Sequence, residues 1–277
     1  MPFEEFVADG APAPATPAVG TPTSPKKSDN PGYGNLTEGV TDVGAGVPVG
    51  EGEPVSVDPR VARAACRREE GRLGYRFAKR TFDVAFSLAA MAVLLVPSLV
   101  LCAAISLESP GFPIYSQKRV GRVGRDGEVE TFSMYKFRSM HAGADERLPE
   151  LAHLNEADGP LFKIKDDPRV TRIGRFIRKH SIDELPQFLN CFLGQLSTVG
   201  PRPPLPGEVA QYDERAMGRL SVKPGLTGYW QVHGRSDTGF DDMVELDLKY
   251  IEERSAVVDL KVVARTVAVM FSGKGAC

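Results

Sequence analysis

The chain places two adjacent carboxylates, Asp183 and Glu184, shortly after two cations, Arg178 and Lys179. An anionic substrate that approached these carboxylates would meet a repulsion of roughly 4 kcal/mol per unit-charge contact at about 4 Å and an intermediate dielectric. Local cations and a bound metal ion would offset that repulsion. The pairing therefore suits chemistry on a phosphate better than simple surface solvation.

A proline decides where a helix begins beside this pair. If Ser181 were the cap of a capping box with Glu184, Pro186 would be the fifth helical residue, where its missing N–H breaks a hydrogen bond. If Asp183 is the cap, Pro186 falls in the free first turn. We therefore expect Asp183 at or near a helix start, where the helix terminus keeps a carboxylate ionised and attracts phosphate.

The chemistry of the pair follows from that position. An ionised aspartate can attack phosphorus to form an acyl phosphate, which makes Asp183 a candidate nucleophile. Glu184 is a candidate ligand of Mg²⁺, which prefers one or two carboxylates together with substrate phosphates. An aspartate that merely caps a helix looks the same in a sequence, so this structural alternative stays open.

Two cations lie on a predicted β-hairpin upstream of the pair. Pro113 to Val120 and Glu128 to Phe137 alternate polar and apolar residues around the turn-forming sequence Arg125-Asp126-Gly127. On the second strand Lys136 and Arg138 share one face. They could grip phosphate oxygens, although a solvated strand face is an equally good interpretation.

The stretch from Thr171 to Lys179 predicts an amphipathic helix that runs straight into the carboxylates. Its apolar side holds Ile173, Phe176 and Ile177. The opposite side is basic and is formed by Arg172, Arg175, Arg178 and Lys179. Such a face is usually solvated or faces lipid, but its position makes Arg178 a candidate phosphate ligand.

Further cations and helices follow the pair. Arg202 lies in the proline-rich sequence from Gly200 to Pro204, and a rigid loop lowers the ordering cost of a bidentate phosphate contact. The glycine-punctuated stretch from Lys223 to Gln231 is predicted to be irregular. A helix from Asp259 to Phe271 suits either the core or the membrane interface.

An uncharged run of 24 residues, Val84 to Leu107, predicts membrane association. As a helix it would rise roughly 36 Å, enough to cross a hydrocarbon core of about 30 Å. Basic residues flank both ends, which places both ends on the cytoplasmic side. Pro97 near the middle predicts a kink or break, so we expect it to be the hinge of a re-entrant helical hairpin. A single kinked transmembrane helix is the alternative.

Composition divides the chain into three parts. Residues 1–59 hold ten prolines and nine glycines, about a third of the segment, with nine acidic and two basic residues for a net charge of −7. This composition is typical of disorder, and we assign residues 1–70 to a disordered acidic tail. Residues 71–107 form the basic flank and the membrane helix, and residues 108–277 form one domain.

Charge and cysteine usage narrow the function classes. Residues 60–277 carry 32 basic and 27 acidic residues, a net charge of +5, which suits a phosphorylated substrate, anionic lipid or nucleic acid. The four cysteines contain no Cys-x-x-Cys pair and the histidines no His-Glu-x-x-His spacing, so the sequence indicates neither a zinc site nor a disulfide framework.

Six blocks, in order, resemble the monotopic phosphoglycosyl transferases, the bacterial sugar transferase family of exopolysaccharide and glycan initiation. The resemblance covers about Phe77 to Phe271. The blocks are Lys79 to Asp83, Tyr135 to Met140, Asp167 to Thr171, Ser181 to Gln187, Gly200 to Pro203 and Pro224 to Gly228. Each block alone is weak, whereas the ordered set is strongly specific.

The resemblance implies transfer of a sugar 1-phosphate from a UDP-sugar to polyprenyl phosphate with release of UMP. It makes Asp183 the nucleophile of a phosphosugar intermediate and Glu184 a Mg²⁺ ligand or base. Phosphate or uridine contacts are implied for Lys136, Arg178, Arg202 and Arg235; the shared strand face adds Arg138 to the substrate-binding candidates.

The expected fold class is α+β: a membrane-embedded re-entrant helical hairpin plus one small, mainly helical cytoplasmic domain with a short β-hairpin. The expected partners are UDP-sugar, polyprenyl phosphate and membrane lipid, without nucleic acid, and a homodimer stays open. The expected location is the bacterial inner membrane, with the catalytic domain facing the cytoplasm. A non-catalytic protein that binds anionic lipid and a UDP-releasing glycosyltransferase remain as alternatives.

Overall fold

The computed structural model describes residues 72–124, 126–147, 149–156, 159–162, 164, 166–233 and 239–272. The tail predicted over residues 1–70 therefore lies outside the described residues. The helices are α1 (Leu73–Glu108), α2 (Arg172–Lys179), α3 (Gln187–Leu193), α4 (Pro206–Val209), α5 (Glu214–Met217), α6 (Tyr229–His233), α7 (Phe240–Glu253) and α8 (Ala256–Ser272).

The described residues also form two small sheets and three 3₁₀ turns. The strands are β1 (Ile114–Val123), β2 (Val129–Phe137), β3 (Ser197–Val199) and β4 (Gly225–Thr227). The 3₁₀ turns are Pro149–Leu154, Ile182–Glu184 and Gly218–Ser221. The mixed, mainly helical class expected from the sequence is confirmed.

Within the described part of the chain, α1 is the one helix long and apolar enough to cross a membrane. No residue from Leu88 to Val100 is buried in the protein, and Val93 and Val96 are 77% and 68% exposed. The structure shows one helix that continues through Pro97, rather than two separated half-helices. The helix fits a membrane anchor, and its re-entrant course stays a prediction.

The N-terminal part of α1 docks onto the domain through charged side chains. The Arg80 guanidinium donates to the carbonyls of Cys191 (2.8 Å) and Phe192 (2.7 Å) in the last turn of α3. Buried Asp83 accepts from the Thr198 backbone N–H at 2.8 Å, beside β3. Arg80 belongs to the predicted basic flank, and the structure shows that it also joins α1 to the domain.

A second contact joins the start of α1 to α8. Lys79 Nζ donates to Asp259 Oδ2 at 2.7 Å, and the hydroxyls of Tyr75 and Tyr250 donate to the same carboxylate at 2.9 and 2.8 Å. Asp259 is only 6% exposed, so its charge is satisfied by this network rather than by water. The predicted C-terminal helix is confirmed and begins slightly earlier, at Ala256.

The last residue of α1 caps the next α-helix. The Glu108 carboxylate accepts from the backbone N–H groups of Arg172 (2.9 Å) and Ile173 (3.0 Å) at the start of α2. Thr171 Oγ1 accepts from the Gly174 backbone N–H at 2.8 Å. Glu108 and Thr171 therefore supply acceptors for three N–H groups in the first turn of α2 that have no partner within the helix. The predicted amphipathic helix is confirmed, and both ends of α1 contact the same domain.

The predicted hairpin is confirmed. Strands β1 and β2 pair antiparallel from Ile114 opposite Phe137 onward, with a register shift between Val120 and Val123. The stretch predicted to be irregular is more ordered than expected, because it contains β4, which pairs in parallel with β3, and α6. Strand β4 has only three residues, too few for a periodic pattern.

Candidate active site

The two carboxylates lie in the 3₁₀ turn Ile182–Glu184, directly before α3. Ser181 has left-handed backbone angles (φ 54°, ψ 25°), and its side chain makes no capping hydrogen bond, which rules out the capping box. Asp183 lies near a helix start, as expected, but it is not the cap of α3, because Pro186 precedes the first residue of that helix. The proline does tolerate that place, since the helix start needs no N–H there.

A buried amide side chain, that of Asn190, links α3 to the hairpin through hydrogen bonds. Asn190 Oδ1 accepts from the Tyr135 backbone N–H at 3.0 Å, while its Nδ2 donates to the Ser133 carbonyl and to Gln195 Oε1, both at 2.7 Å. Asn190 is fully buried, so these bonds are obligatory. They hold the turn of carboxylates against the strand segment that carries Lys136.

That alignment brings predicted site residues together. Lys136 Nζ lies 2.8 Å from Glu184 Oε1, with the two side chains 25% and 44% exposed. Asp183 is 8% exposed. The first residue of its turn, Ile182, packs against an apolar cluster that contains Ile177. The pair therefore has one half-open carboxylate held by a lysine and one nearly enclosed carboxylate.

The two carboxyls have different ionisation properties. Burial and the adjacent charge of Glu184 together raise the pKa of Asp183 to about 6, against the opposing effects of Lys136 and Arg178. At neutral pH Asp183 is ionised yet poorly solvated. A buried anion with few compensating contacts is a stronger nucleophile than a solvated one.

Glu184 behaves in the opposite way. Burial opposes its ionisation, but the cations Lys136, Arg119 and Arg202 outweigh burial and hold the pKa of this carboxyl below its usual value. Environments that separate the pKa values of neighbouring carboxyls are typical of sites where the two groups have different roles. This separation is the strongest electrostatic feature of the site.

Arg202 contributes to the same charge cluster but is already paired. Its Nη1 lies 2.9 Å from Oε2 of Glu208, a carboxylate only 3% exposed at its side chain. The Arg202 side chain is 23% exposed. Glu208 was not predicted, and nothing in its local sequence marks it, because its partner is set by the folded loop.

The other predicted cations lie in different surroundings. Arg178, at the end of α2, acts electrostatically on both Asp183 and Asp167. Arg138 donates to the carbonyls of Ser109 and, at 3.1 Å, Pro110, where the chain leaves α1, so its substrate role stays a prediction. Arg235 lies outside the described residues.

The donor set allows a weakly held Mg²⁺ rather than a protein-enclosed metal. The described residues contain no cluster of three or more His, Cys, Asp or Glu side chains that would hold a metal ion. Glu184 and Asp183 supply two carboxylates, and one Glu184 oxygen is engaged by Lys136. Mg²⁺ fits such a site when substrate phosphates and waters complete its coordination.

Comparison with known proteins decides the family. The family model described as bacterial sugar transferase matches residues 74–273, which contain the carboxylate pair and its cations. The chain belongs to the bacterial sugar transferase family. This result confirms the resemblance found in the sequence.

Three relatives of this bacterial sugar transferase illustrate the similarity. Galactosyl transferase CpsE of Streptococcus agalactiae serotype III is 42% identical over 206 residues, 74% of this chain and 44% of CpsE. ExoY of Rhizobium meliloti, an exopolysaccharide production protein, is 38% identical over 205 residues, 72% of this chain and 87% of ExoY. The UDP-glucose:undecaprenyl-phosphate glucose-1-phosphate transferase of Escherichia coli K12 is 39% identical over 212 residues, 73% of this chain and 42% of the relative. The chain thus spans less than half of two of these relatives and most of ExoY.

Proposed function

We propose that this protein transfers a sugar 1-phosphate from a UDP-sugar to polyprenyl phosphate and releases UMP, as the first step of exopolysaccharide or other glycan assembly. The observation that carries the proposal is the Asp183 and Glu184 pair with its divergent pKa values, within a chain of the bacterial sugar transferase family. The names of relatives support the substrate classes, since one is an undecaprenyl-phosphate galactose phosphotransferase.

The reaction has two displacements at one phosphorus. In the first, an Asp183 carboxylate oxygen attacks the phosphorus that bears the sugar, and the pyrophosphate P–O bond breaks, with its electron pair leaving on UMP. In the second, a phosphate oxygen of the acceptor lipid attacks the same phosphorus and displaces Asp183. The products are polyprenyl diphosphate sugar and the regenerated carboxylate.

The charged residues around Asp183 have different roles in binding the donor phosphates. Lys136 neutralises Glu184, which lowers the repulsion that the donor diphosphate would otherwise meet. Arg178 and Arg202 supply further positive charge for phosphate oxygens. Glu184 would hold Mg²⁺ together with the donor phosphates, and the ion would offset charge that develops on the leaving phosphate.

The acceptor is a membrane lipid, so the site must lie at the bilayer surface. Helix α1 supplies the anchor, and both of its ends contact the catalytic domain while its centre is exposed. This supports a re-entrant course with both ends on the cytoplasmic side of the inner membrane. Exposed Phe176 (58%) on α2, beside Arg172 and Arg175, suits contact with the same surface.

The direct test is nucleotide release from purified protein with undecaprenyl phosphate and a panel of UDP-sugars. We expect UMP from at least one sugar, and intact-protein mass spectrometry without acceptor should show a phosphosugar adduct. Asp183→Asn should abolish both signals, because an amide cannot form the acyl phosphate. Release of UDP would instead establish an ordinary glycosyltransferase.

The same experiment separates the non-catalytic alternative. A protein that only binds anionic lipid would release no nucleotide, and its lipid binding would be indifferent to Asp183→Asn. Its affinity for vesicles with anionic lipid would fall steeply with salt. Wild-type turnover in Asp183→Asn would reject the covalent mechanism.

A further inference from the structure

The loop that carries Arg202 is fixed through its carbonyl groups. Prolines at positions 201, 203 and 204 have no N–H, so the loop has few donors with which to anchor itself. Four consecutive carbonyls, those of residues 201 to 204, instead accept hydrogen bonds from three surrounding elements. In order, the donors are Gly225 N (2.9 Å), Arg219 Nη2 (3.4 Å), Arg119 Nη1 (3.0 Å) and Val120 N (2.9 Å).

Arg119 differs from the other donors because it also belongs to the charge cluster of the site. It is 8% exposed, and its Nη2 donates to Gln117 Oε1 at 2.7 Å, so the guanidinium is locked in one orientation. Its Nε is buried without a hydrogen-bond partner in the described part of the chain. Retaining a buried cation with an unsatisfied donor is costly, which indicates a role beyond packing.

The charges around Arg119 identify that role. Burial and the nearby Arg202 guanidinium lower the pKa of Arg119 to about 10, against the effects of Glu208, Glu184 and Tyr115. The two guanidiniums repel each other, and Arg202 pairs with Glu208. The positive charge of Arg119 therefore disfavours collapse of Arg202 toward β1.

We propose that Arg119 is a positioning residue for the transferase reaction: it holds the Pro203 carbonyl and thereby sets where the Arg202 guanidinium meets the donor phosphates. This inference rests on the proposed function for the identity of the ligand. A lysine would not replace Arg119 fully, because only a guanidinium can donate to Gln117 and Pro203 at once in a fixed fork.

A double-mutant cycle tests the coupling. Arg119→Gln and Arg202→Gln should each lower kcat/KM for the UDP-sugar by about ten- to hundredfold, the range for loss of a charge-assisted hydrogen bond. If Arg119 acts through Arg202, the kcat/KM of the double variant should lie within about threefold of that of the less active single variant. Arg119→Lys should recover part of the loss and should also be non-additive with Arg202→Gln.

Controls distinguish positioning from stability. Arg215→Gln makes the same chemical change in an exposed ion pair with Glu245 and should leave kcat/KM and the melting temperature unchanged. If Arg119→Gln fails to fold, the Arg119→Lys cycle replaces it. Additive losses in the cycle, or a lower melting temperature with unchanged kcat/KM, would overturn the proposal.

Failure of the proposed function would appear separately. If the wild-type protein releases no UMP with any UDP-sugar, the transferase proposal fails before the cycle begins. The cycle can then be repeated on the affinity for UMP, measured by calorimetry. Coupled losses of UMP affinity would support positioning of Arg202, and independent losses would contradict it.

Discussion

At the scale of residues, the site depends on an anion that the protein solvates poorly. Asp183 ionises with a pKa of about 6 because it is buried beside a second carboxylate. In an unfolded chain an aspartate has a pKa of about 3.9. Between these values the folded protein binds more protons than the unfolded chain, so the contribution of Asp183 to stability decreases as pH rises.

This linkage predicts that Asp183→Asn stabilises the protein while it inactivates it. Above about pH 6 the full penalty is present, and its removal should raise the free energy of unfolding by on the order of 2 kcal/mol. Below about pH 4 Asp183 is protonated in both the folded and the unfolded wild-type chain, so the gain in stability from Asp183→Asn should vanish. Melting temperatures of the two proteins across this pH range provide the measurement.

The exposed Asp242→Asn is the matched control, and it should change the melting temperature little at any pH. A destabilised Asp183→Asn at pH 8 would contradict the burial argument. It would mean that the ionised carboxylate makes net favourable contacts in the folded protein.

Site residues with unusual local charge patterns could be predicted from the sequence. Residues whose role depends on contacts formed in the folded protein could not. The adjacent carboxylates and Lys136 stand out because their charges are unusual in a local pattern. Asn190 and Glu208 do not, since the hairpin partners of Asn190 lie 55 or more residues away and the partner of Glu208 lies in a loop without periodicity. Arg119 follows Gln117 and Lys118 on a strand and has the pattern of an ordinary polar position.

At the scale of elements, α2 approaches the segment that follows β2 so closely that one position of the helix excludes a side chain. A Cβ on Gly174 would lie 1.9 Å from the Ser139 carbonyl oxygen. Helix propensity alone would favour alanine here, and packing overrides it. The helix leads directly into the turn with Asp183, so its position sets the position of the proposed nucleophile.

Gly174→Ala is therefore expected to destabilise the protein by roughly 1 to 3 kcal/mol, the usual cost of overpacking. It should also lower kcat, because α2 must move away from Ser139. Gly74→Ala is the matched control, since a Cβ there meets nothing within 4 Å. Melting temperature and UMP release for the two variants provide the test, and equal effects would reject the packing argument.

Helices and strands with long periodic sequence patterns were predicted correctly, whereas the shortest strands were missed. The hairpin, α2 and α8 have enough periodic residues to be recognised. Strands β3 and β4 have three residues each and are held by a parallel pairing across 28 positions of sequence, Ser197 with Gly225. Asp183 was correctly expected near a helix start, but the 3₁₀ form of its turn was not expected, because Ser181 adopts a left-handed conformation that no capping rule anticipates.

At the scale of the whole molecule, the contacts at the two ends of α1 determine how the protein meets a membrane. A straight helix of 36 residues would be about 54 Å long. Its start is bound to α3, β3 and α8, and its last residue caps α2 in the same domain. An exposed apolar centre between two ends that bind one domain is consistent with entry and exit on one side of a bilayer, and this re-entrant course stays a prediction.

This arrangement predicts the location of the N-terminus. A fluorescent reporter fused before residue 60 should be active in the cytoplasm, and a phosphatase reporter at the same place should be inactive. The same two reporters fused after residue 277 give the matched control, since both fusions should agree. A helix that spans the bilayer would instead separate the two ends, and the N-terminal phosphatase would be active. That outcome would require the contacts of Lys79 and Glu108 with one domain to break, because a single domain cannot bind both ends across a hydrocarbon core of about 30 Å.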